Sequence, residues 1–340
     1  MAKVSVNPSF DASTLMSKRV VTGATDNTMV YGMLVWASAL TRTASKPVHL
    51  VLAYFDGTLS QRNIVTIEAT LNELGQAHSF LELRPEERFV AQGHISPTTF
   101  TKFLIADAIP SPHLWIDVDT VATRGWDDLF AVVSKKAARY DLVVAERGDR
   151  KRNVDSAAVV APSDLPFNAG VLGWPASARR DWARQLSRVG TVPTIEQFVF
   201  NTLYAESCHR VPESFNTLTY RIDSLRGVSV PQIIHYAGAH KPWHLPRPFT
   251  NLCKAHECPW SQWFRAEEAF LRSIAGTAIA PEVVRLQQHA LRSSTVRWQR
   301  DHSGVILLRL LTAIGPLGWL VVLAAKPLSR WIPRGTHPLH

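Results

Sequence analysis

Along the chain, short unbroken apolar runs alternate with longer stretches in which apolar residues recur at helical spacing. Five segments read as strands: "RVVTGA" (19–24), "PVHLVLAYFDG" (47–57), "HSFLELR" (78–84), "HLWIDVD" (113–119) and "YDLVVAERGD" (140–149). The second, a continuous apolar run closed by Asp-Gly, predicts a strand buried on both faces. Between them, a polar turn around "TDNT" leads into a helix-like stretch through Leu40, and "SQRNIVTIEATLNELG" predicts an amphipathic helix stopped at Gly75. "SPTTFTKFLIADAI" predicts a helix with Ser96 as N-cap and Pro97 at its first position. Strands alternating with helices predict an α/β fold around a largely parallel sheet. The segment "NLCKAHECPWSQWF" (251–264) is loop-like, and helical sequence resumes from Glu267.

In open α/β sheets ligands bind beyond the carboxyl ends of the strands. The turn after "RVVTGA" and the aspartates after "HLWI" both occupy such ends, so they are expected to share a site. Asp117 and Asp119 stand at i and i+2, which on a regular strand places both carboxylates on one face. Their repulsion is costly unless a positive group neutralises it. A divalent cation does so and can bridge to a diphosphate; a solvated turn is the plainer alternative. Further on, "IIHYAGAHKPWH" (233–244) ends another apolar run with His235, either a satisfied core histidine or a third ligand to the two acids. Carboxylate oxygen together with imidazole nitrogen suits manganese better than calcium. Gly238 permits close backbone approach, and Lys241 offers a positive charge to phosphate.

With 340 residues and 46% hydrophobic content, the chain is expected to form one large packed domain with appendages. We divide it into an N-terminal extension (1–18), a catalytic domain (19–250), a linker and helical region (251–302) and a tail (303–340). Of three cysteines, Cys253 and Cys258 flank His256. A fourth zinc ligand is not evident there, so reduced thiols are the simpler reading. No apolar signal-peptide core appears near the N-terminus, and the catalytic body is expected in the cytoplasm.

Charge changes the picture at the other end. From Arg285 to His340 eight Arg or Lys residues face one acid, Asp301, so this stretch holds +7 of the formal net charge of +9. The adjacent run "VILLRLLTAIGPLGWLVVLAA" (305–325) carries one charge, Arg309, and has Trp298, Trp319 and Trp331 within or beside it. It is about long enough to cross a hydrocarbon core roughly 30 Å thick. It can equally lie in the membrane plane or pack as a core helix kinked at Gly315-Pro316. Membrane lipids, not nucleic acid, are therefore the expected partners of the tail, through about residues 303–330. The basic loop "ERGDRKRNVD" (146–155) reads as an acceptor-side patch or lid, or simply as a solvated charged loop.

Seven segments in order resemble glycosyltransferase family 8, the retaining nucleotide-sugar transferases that include glycogenin and the lipopolysaccharide galactosyltransferases. They are "ATDNTMVYGM", "GHISPTTFTKFLIADAI", "LWIDVDTVATRGWDDLF", "FNAGVLGWP", "EQFVFNTLY", "ESFN" and "IIHYAGAHKPW", spanning roughly residues 19–244. The resemblance implies a single Rossmann-like nucleotide-sugar-binding domain of GT-A type with a mixed, mostly parallel sheet. It implies transfer of a hexose from a UDP-sugar, most simply UDP-glucose or UDP-galactose, to a hydroxyl of a glycan or glycolipid, dependent on Mn²⁺ (or Mg²⁺). By position, Ala24, Thr25 and Asp26 would read uracil, and Asp117, Asp119 and His235 would ligate the metal, with Asp117 also near the ribose. Gly238 and Lys241 would contact the diphosphate. His94 and Ile95 would touch the nucleotide, Lys102 and Asn168 the donor sugar, and Val118 and Ala169 would complete the donor site. Glu196 and Gln197 would flank the anomeric carbon, although an acid at a helix start needs no such role.

Three positions depart from the family pattern. Thr28-Met29 replaces an aromatic residue near the base, Lys102 an arginine, and Glu196 an aspartate. The alternative for such a chain is a catalytically inactive descendant that binds a nucleotide sugar or scaffolds at a membrane. That descendant should have lost a metal ligand, and this sequence retains all three.

Overall fold

The structure, a computed structural model, describes residues 10–86, 89, 96–109, 112–135, 140–146, 166–175, 196–221, 225, 230–238, 241–244, 254 and 257–301. The five predicted strands form as β1 (Val20–Ala24), β2 (His49–Phe55), β3 (His78–Leu83), β4 (His113–Ile116) and β6 (Leu142–Ala145). Two further strands, β7 (Val171–Trp174) and β8 (Cys208–Val211), complete a seven-stranded sheet in the order β3-β2-β1-β4-β7-β6-β8. Only β7 runs against the rest, pairing antiparallel with both β4 and β6. The sheet is therefore mixed and mostly parallel, as the strand-helix alternation predicts.

Helices α1 (Val30–Thr43) and α2 (Gln61–Glu73) cover one face of the sheet; α3 (Thr101–Ala108) and α5 (Glu196–Tyr204) cover the other. A short α4 (Leu129–Lys135) follows β4. The side-chain alternation of β2 divides its apolar residues between the two faces. Leu50, Leu52 and Tyr54 join the α1 core, while Val51, Ala53 and Phe55 join the α3 core. Ser60 caps α2 by accepting from the Asn63 backbone N–H, and Gly75 adopts a left-handed φ of 63° at its end. Ser96 caps the next helical segment with Pro97 in its first turn, but that turn is a 3-10 helix (Pro97–Phe100) before α3 proper begins.

A second sheet of three very short strands, β5 (Thr120–Ala122), β9 (Thr217–Leu218) and β10 (Ile233–His235), stands beside the first in the order β5-β10-β9. Near the C-terminus the chain turns helical earlier than its loop-like composition suggests: α6 runs Ser261–Ser273. Trp263 and Phe264, in its first turn, are buried, and Tyr236 packs edge-on against Trp263, so the aromatics of this segment serve the core. Together with α7 (Ala280–Asp301), α6 joins the core on the α1 side of the sheet. Each large apolar side chain so buried contributes about 1.5–3 kcal/mol. Cys258 is buried, while Cys253 and His256 lie outside the described residues. Among the described residues no helix is long and apolar enough to cross a membrane; the run 305–325 lies outside them.

Candidate active site

The two aspartates do not sit on a strand. β4 stops at Ile116, and Asp117 to Asp119 form the turn through which the chain leaves the large sheet for the small one. Three bonds shape that turn. The Asp117 N–H donates to the Gly170 carbonyl at 2.8 Å, the Thr120 hydroxyl donates to the Asp117 carbonyl at 2.8 Å, and the Tyr236 N–H donates to the Asp119 carbonyl at 2.9 Å. β10 pairs antiparallel with β5 so that His235 stands opposite Thr120. This register brings the imidazole to the acids. His235 Nε2 lies 3.3 Å from Asp119 Oδ1 and 3.9 Å from Asp117 Oδ2, and one ligand atom from each residue fits within 4.8 Å of the others.

The polarity of the imidazole can be deduced from its neighbours. Asn216 donates through Nδ2 to the backbone carbonyl of Asn168, so its Oδ1 is the end that meets His235 Nδ1, at 2.9 Å. Nδ1 therefore carries a proton, and Nε2 faces the carboxylates as a metal-ligating nitrogen must.

Lys102, only 1% exposed, is driven into this cluster from α3. Its ammonium lies 3.2 Å from Asp117 Oδ1 and 3.1 Å from Glu196 Oε1, and 5.5 Å above the Trp115 ring. Burial works against the lysine charge, but Asp117 and Glu196 outweigh it and hold its pKa above the ordinary value. Asp117 also accepts from Trp115 Nε1 at 2.7 Å. Burial pushes the Asp117 carboxyl up, Lys102 opposes this, and the charge of Asp119 adds to it. Asp119 is the opposite case: burial is overcome by Lys241 and His235, which hold it well below the usual carboxylate range. The Lys241 ammonium bonds Asp119 Oδ2 directly. Its loop is anchored by Trp243, whose ring packs so closely on α1 that a Cβ at Gly32 would meet it at 2.6 Å.

The other predicted positions surround this core. Ala24 and Thr25 end β1, with the Thr25 N–H donating to the Ala53 carbonyl at 2.9 Å. Asp26 accepts from the Thr28 N–H at 2.8 Å and from the hydroxyls of Ser96 and Thr98 at 3.3 Å. Val118 and Ala169 are buried, and Gly238 is exposed with a φ of 107°. Asn168 donates to Gln197 Oε1 at 2.9 Å, in the first turn of α5 beside Glu196. His94, Ile95 and the basic loop 147–155 lie outside the described residues. Three residues in the cluster carry no assignment from the sequence: Trp115, Gly170 and Asn216. The last two fall inside the segments "FNAG" and "ESFN", which is the only signal the sequence offers for them.

The acid–histidine cluster lies beyond the carboxyl end of a central strand of a mostly parallel α/β sheet, the place where such sheets bind their ligands. Residues 20–245 match the family model for glycosyl transferase family 8, and the chain belongs to that family of glycosyltransferases, which take their sugar from a nucleotide-sugar donor. Among solved structures it is similar to the galactosyltransferase LgtC in complex with donor and acceptor sugar analogues. There the TM-score is 0.59 at 18% identity, over 74% of this chain and 95% of that one. The apo structure of the bifunctional glycosyltransferase WbbM gives 0.55 at 17%, over 83% of this chain and 53% of that one. At such identities the likeness establishes the fold, the GT-A type. No curated protein matches the sequence.

Proposed function

We propose that this glycosyltransferase moves a hexose from a UDP-sugar, UDP-glucose or UDP-galactose, to a hydroxyl of a glycan or glycolipid with retention of configuration. In this reading Asp117, Asp119 and His235 hold Mn²⁺ (or Mg²⁺). The observation that carries the reading is the convergence of these three side chains within 4.8 Å where β4 leaves its sheet. Two carboxylates and one imidazole nitrogen are a donor set suited to manganese. The bond from His235 Nδ1 to Asn216 leaves the other ring nitrogen directed at the acids. A bound ion would neutralise charge accumulating on the leaving diphosphate.

The chain's own groups do the rest. Lys241, already beside Asp119, supplies a second positive charge to the diphosphate, with Gly238 permitting close backbone approach. Ala24, Thr25 and Asp26, at the end of β1, read the base. Lys102, Asn168 and Gln197 line the sugar subsite, and Val118 and Ala169 close its apolar wall. Glu196 has one oxygen bonded to Lys102, which makes it a neutralised wall of the site and a poor attacking group. The acceptor hydroxyl therefore attacks on the face the diphosphate leaves, giving its proton to the departing phosphate oxygen as the bond from that oxygen to the anomeric carbon breaks, with Gln197 as an orienting polar group. Residues 19–250 form the catalytic domain, and the tail 303–340 brings it to membrane lipids.

The test is UDP release from a panel of UDP-sugars by the full chain, with and without Mn²⁺. Release with one or two hexose donors, abolished by chelation, is the expected result. No release with any donor would support the inactive nucleotide-sugar-binding descendant. Deletion of 303–340 should leave donor hydrolysis intact while ending vesicle association.

A further inference from the structure

Four side chains form one line of directed hydrogen bonds from the metal-ligand candidate to the start of α5. His235 Nδ1 meets Asn216 Oδ1 at 2.9 Å, Asn216 Nδ2 meets Asn168 Oδ1 at 2.9 Å, and Asn168 Nδ2 meets Gln197 Oε1 at 2.9 Å. Amide oxygens and nitrogens are interchangeable in shape, so direction has to come from groups of fixed polarity. Two such groups are present. The Gly170 N–H can only donate, and it donates to Asn168 Oδ1 at 2.9 Å; the Asn168 backbone carbonyl can only accept, and it accepts from Asn216 Nδ2 at 3.2 Å. These fix Asn168 with its Nδ2 toward Gln197 and Asn216 with its Oδ1 toward His235. No member can flip alone without opposing two like ends.

We infer that Asn216 is a positioning residue that sets two functional groups at once: the ring orientation and tautomer of His235, and, through Asn168, the orientation of Gln197. With Gln197 Oε1 occupied by Asn168, the end of Gln197 left for a ligand is its Nε2, a hydrogen-bond donor. Gln197 thus offers substrate a donated bond and keeps its oxygen turned to the protein. Asn216 itself is 4% exposed, and its side-chain bonds run to His235 and Asn168. It lies between β8 and β9 on a backbone turn closed by its N–H to the Glu213 carbonyl at 2.8 Å, so its side chain has little freedom to relax.

This inference rests on the metal site proposed above, and the test separates the two. Mn²⁺ binding to the full chain is titrated by electron paramagnetic resonance, independently of turnover. Wild type must bind; if it does not, the metal reading itself falls and the inference with it. With wild type binding, Asn216→Leu should weaken Mn²⁺ by about 10- to 100-fold. Asn216→Asp keeps an oxygen for His235 but loses the donor to Asn168. It should hold Mn²⁺ within about threefold while UDP release from the best donor falls by about tenfold or more in kcat. A fold-stabilising role alone would move both variants together in melting temperature and neither in this split. If Asn216→Leu does not fold, Asn216→Ser takes its place in the titration, since its hydroxyl is too short to reach the ring. Wild-type Mn²⁺ affinity in the folded Leu or Ser variant would overturn the histidine arm, and unchanged kcat in Asn216→Asp the glutamine arm.

Discussion

Substituting Gly170 by alanine adds one methyl group at the most crowded point of the site. A Cβ there would lie 2.1 Å from His235 Cε1, 2.4 Å from His235 Nδ1 and 2.9 Å from Asn168 Oδ1. Ordinary contact needs at least about 3.4 Å, so the imidazole must retreat by roughly 1 Å or the Asn168–Val171 backbone must move. The ring is 3% exposed and its Nδ1 is tied to Asn216, so any retreat breaks that bond or carries Nε2 away from its present place. Two consequences follow. Overpacking should destabilise the fold by about 1–3 kcal/mol. Displacing Nε2 from its 3.3 Å approach to Asp119 should weaken Mn²⁺ by about 10-fold or more, with a fall of up to about 100-fold in donor turnover. Thermal melting with and without Mn²⁺ reads both: the variant should melt a few degrees lower and lose most of the metal-induced increment. A Gly170→Ala enzyme with wild-type Mn²⁺ affinity would refute the geometry, since the imidazole could not then be where the pairing of β5 and β10 places it.

Asp119→Asn should reduce Mn²⁺ affinity by at least about 100-fold in a calorimetric titration while leaving the fold intact, because it removes a charged ligand atom and not a packing group. Lys102→Met leaves the buried Glu196 unpaired beside a half-buried Asp117 and should cost about 3–5 kcal/mol in a denaturant melt. Adding Glu196→Gln should recover part of that loss, and strict additivity of the two changes would contradict a direct pair. Burial, reinforced by Lys18 and His78, lowers the pKa of His49 to about 4, below its ordinary 6.5. The unfolded chain then takes up the proton first. Stability should be full above pH 6.5, decline below it and level off past pH 4, by at most about 3 kcal/mol. His49→Gln should flatten that segment of the curve.

Much of the architecture is legible in residue order because it follows from local rules. The β2 run is apolar at nearly every position because both faces are covered, and Ser60 and Ser96 cap helical segments because their hydroxyls reach orphan backbone N–H groups. Asp117, Asp119 and His235 stand out for the same reason: each ends an apolar run with a polar group. The small sheet is not legible. Strands of two or three residues have no periodicity, and β5, β9 and β10 exist because they pair with one another. The early start of α6 is hidden likewise, since Trp263 is held there by packing against Tyr236 and Trp243. Asn216 is 19 positions from His235 and 48 from Asn168, and no local pattern reports a bond across such distances.

The charges of the site explain why two lysines stand where they do. Asp117, Asp119 and Glu196 bring three negative charges into a space from which water is largely excluded, and repulsion among them would be severe. Lys102 compensates the inner pair, Asp117 and Glu196, from a fully buried position and has nowhere else to go. Lys241 compensates the outer acid, Asp119, from a half-buried position just ahead of the turn Pro242–His244. With the imidazole uncharged, as a metal ligand has to be, the cluster carries one excess negative charge and would repel a diphosphate. Asp117, Asp119 and His235 would hold a divalent cation whose charge would reverse that sign, and Asp119 would then be shared between the ion and Lys241. Lys241 would then be free to pair with a diphosphate, in keeping with the role proposed for it above. On the proposed reading Lys241 would balance Asp119 before a cation binds and turn to phosphate afterwards, whereas Lys102, held between Asp117 and Glu196 at the edge of the sugar subsite, would balance charge in both conditions.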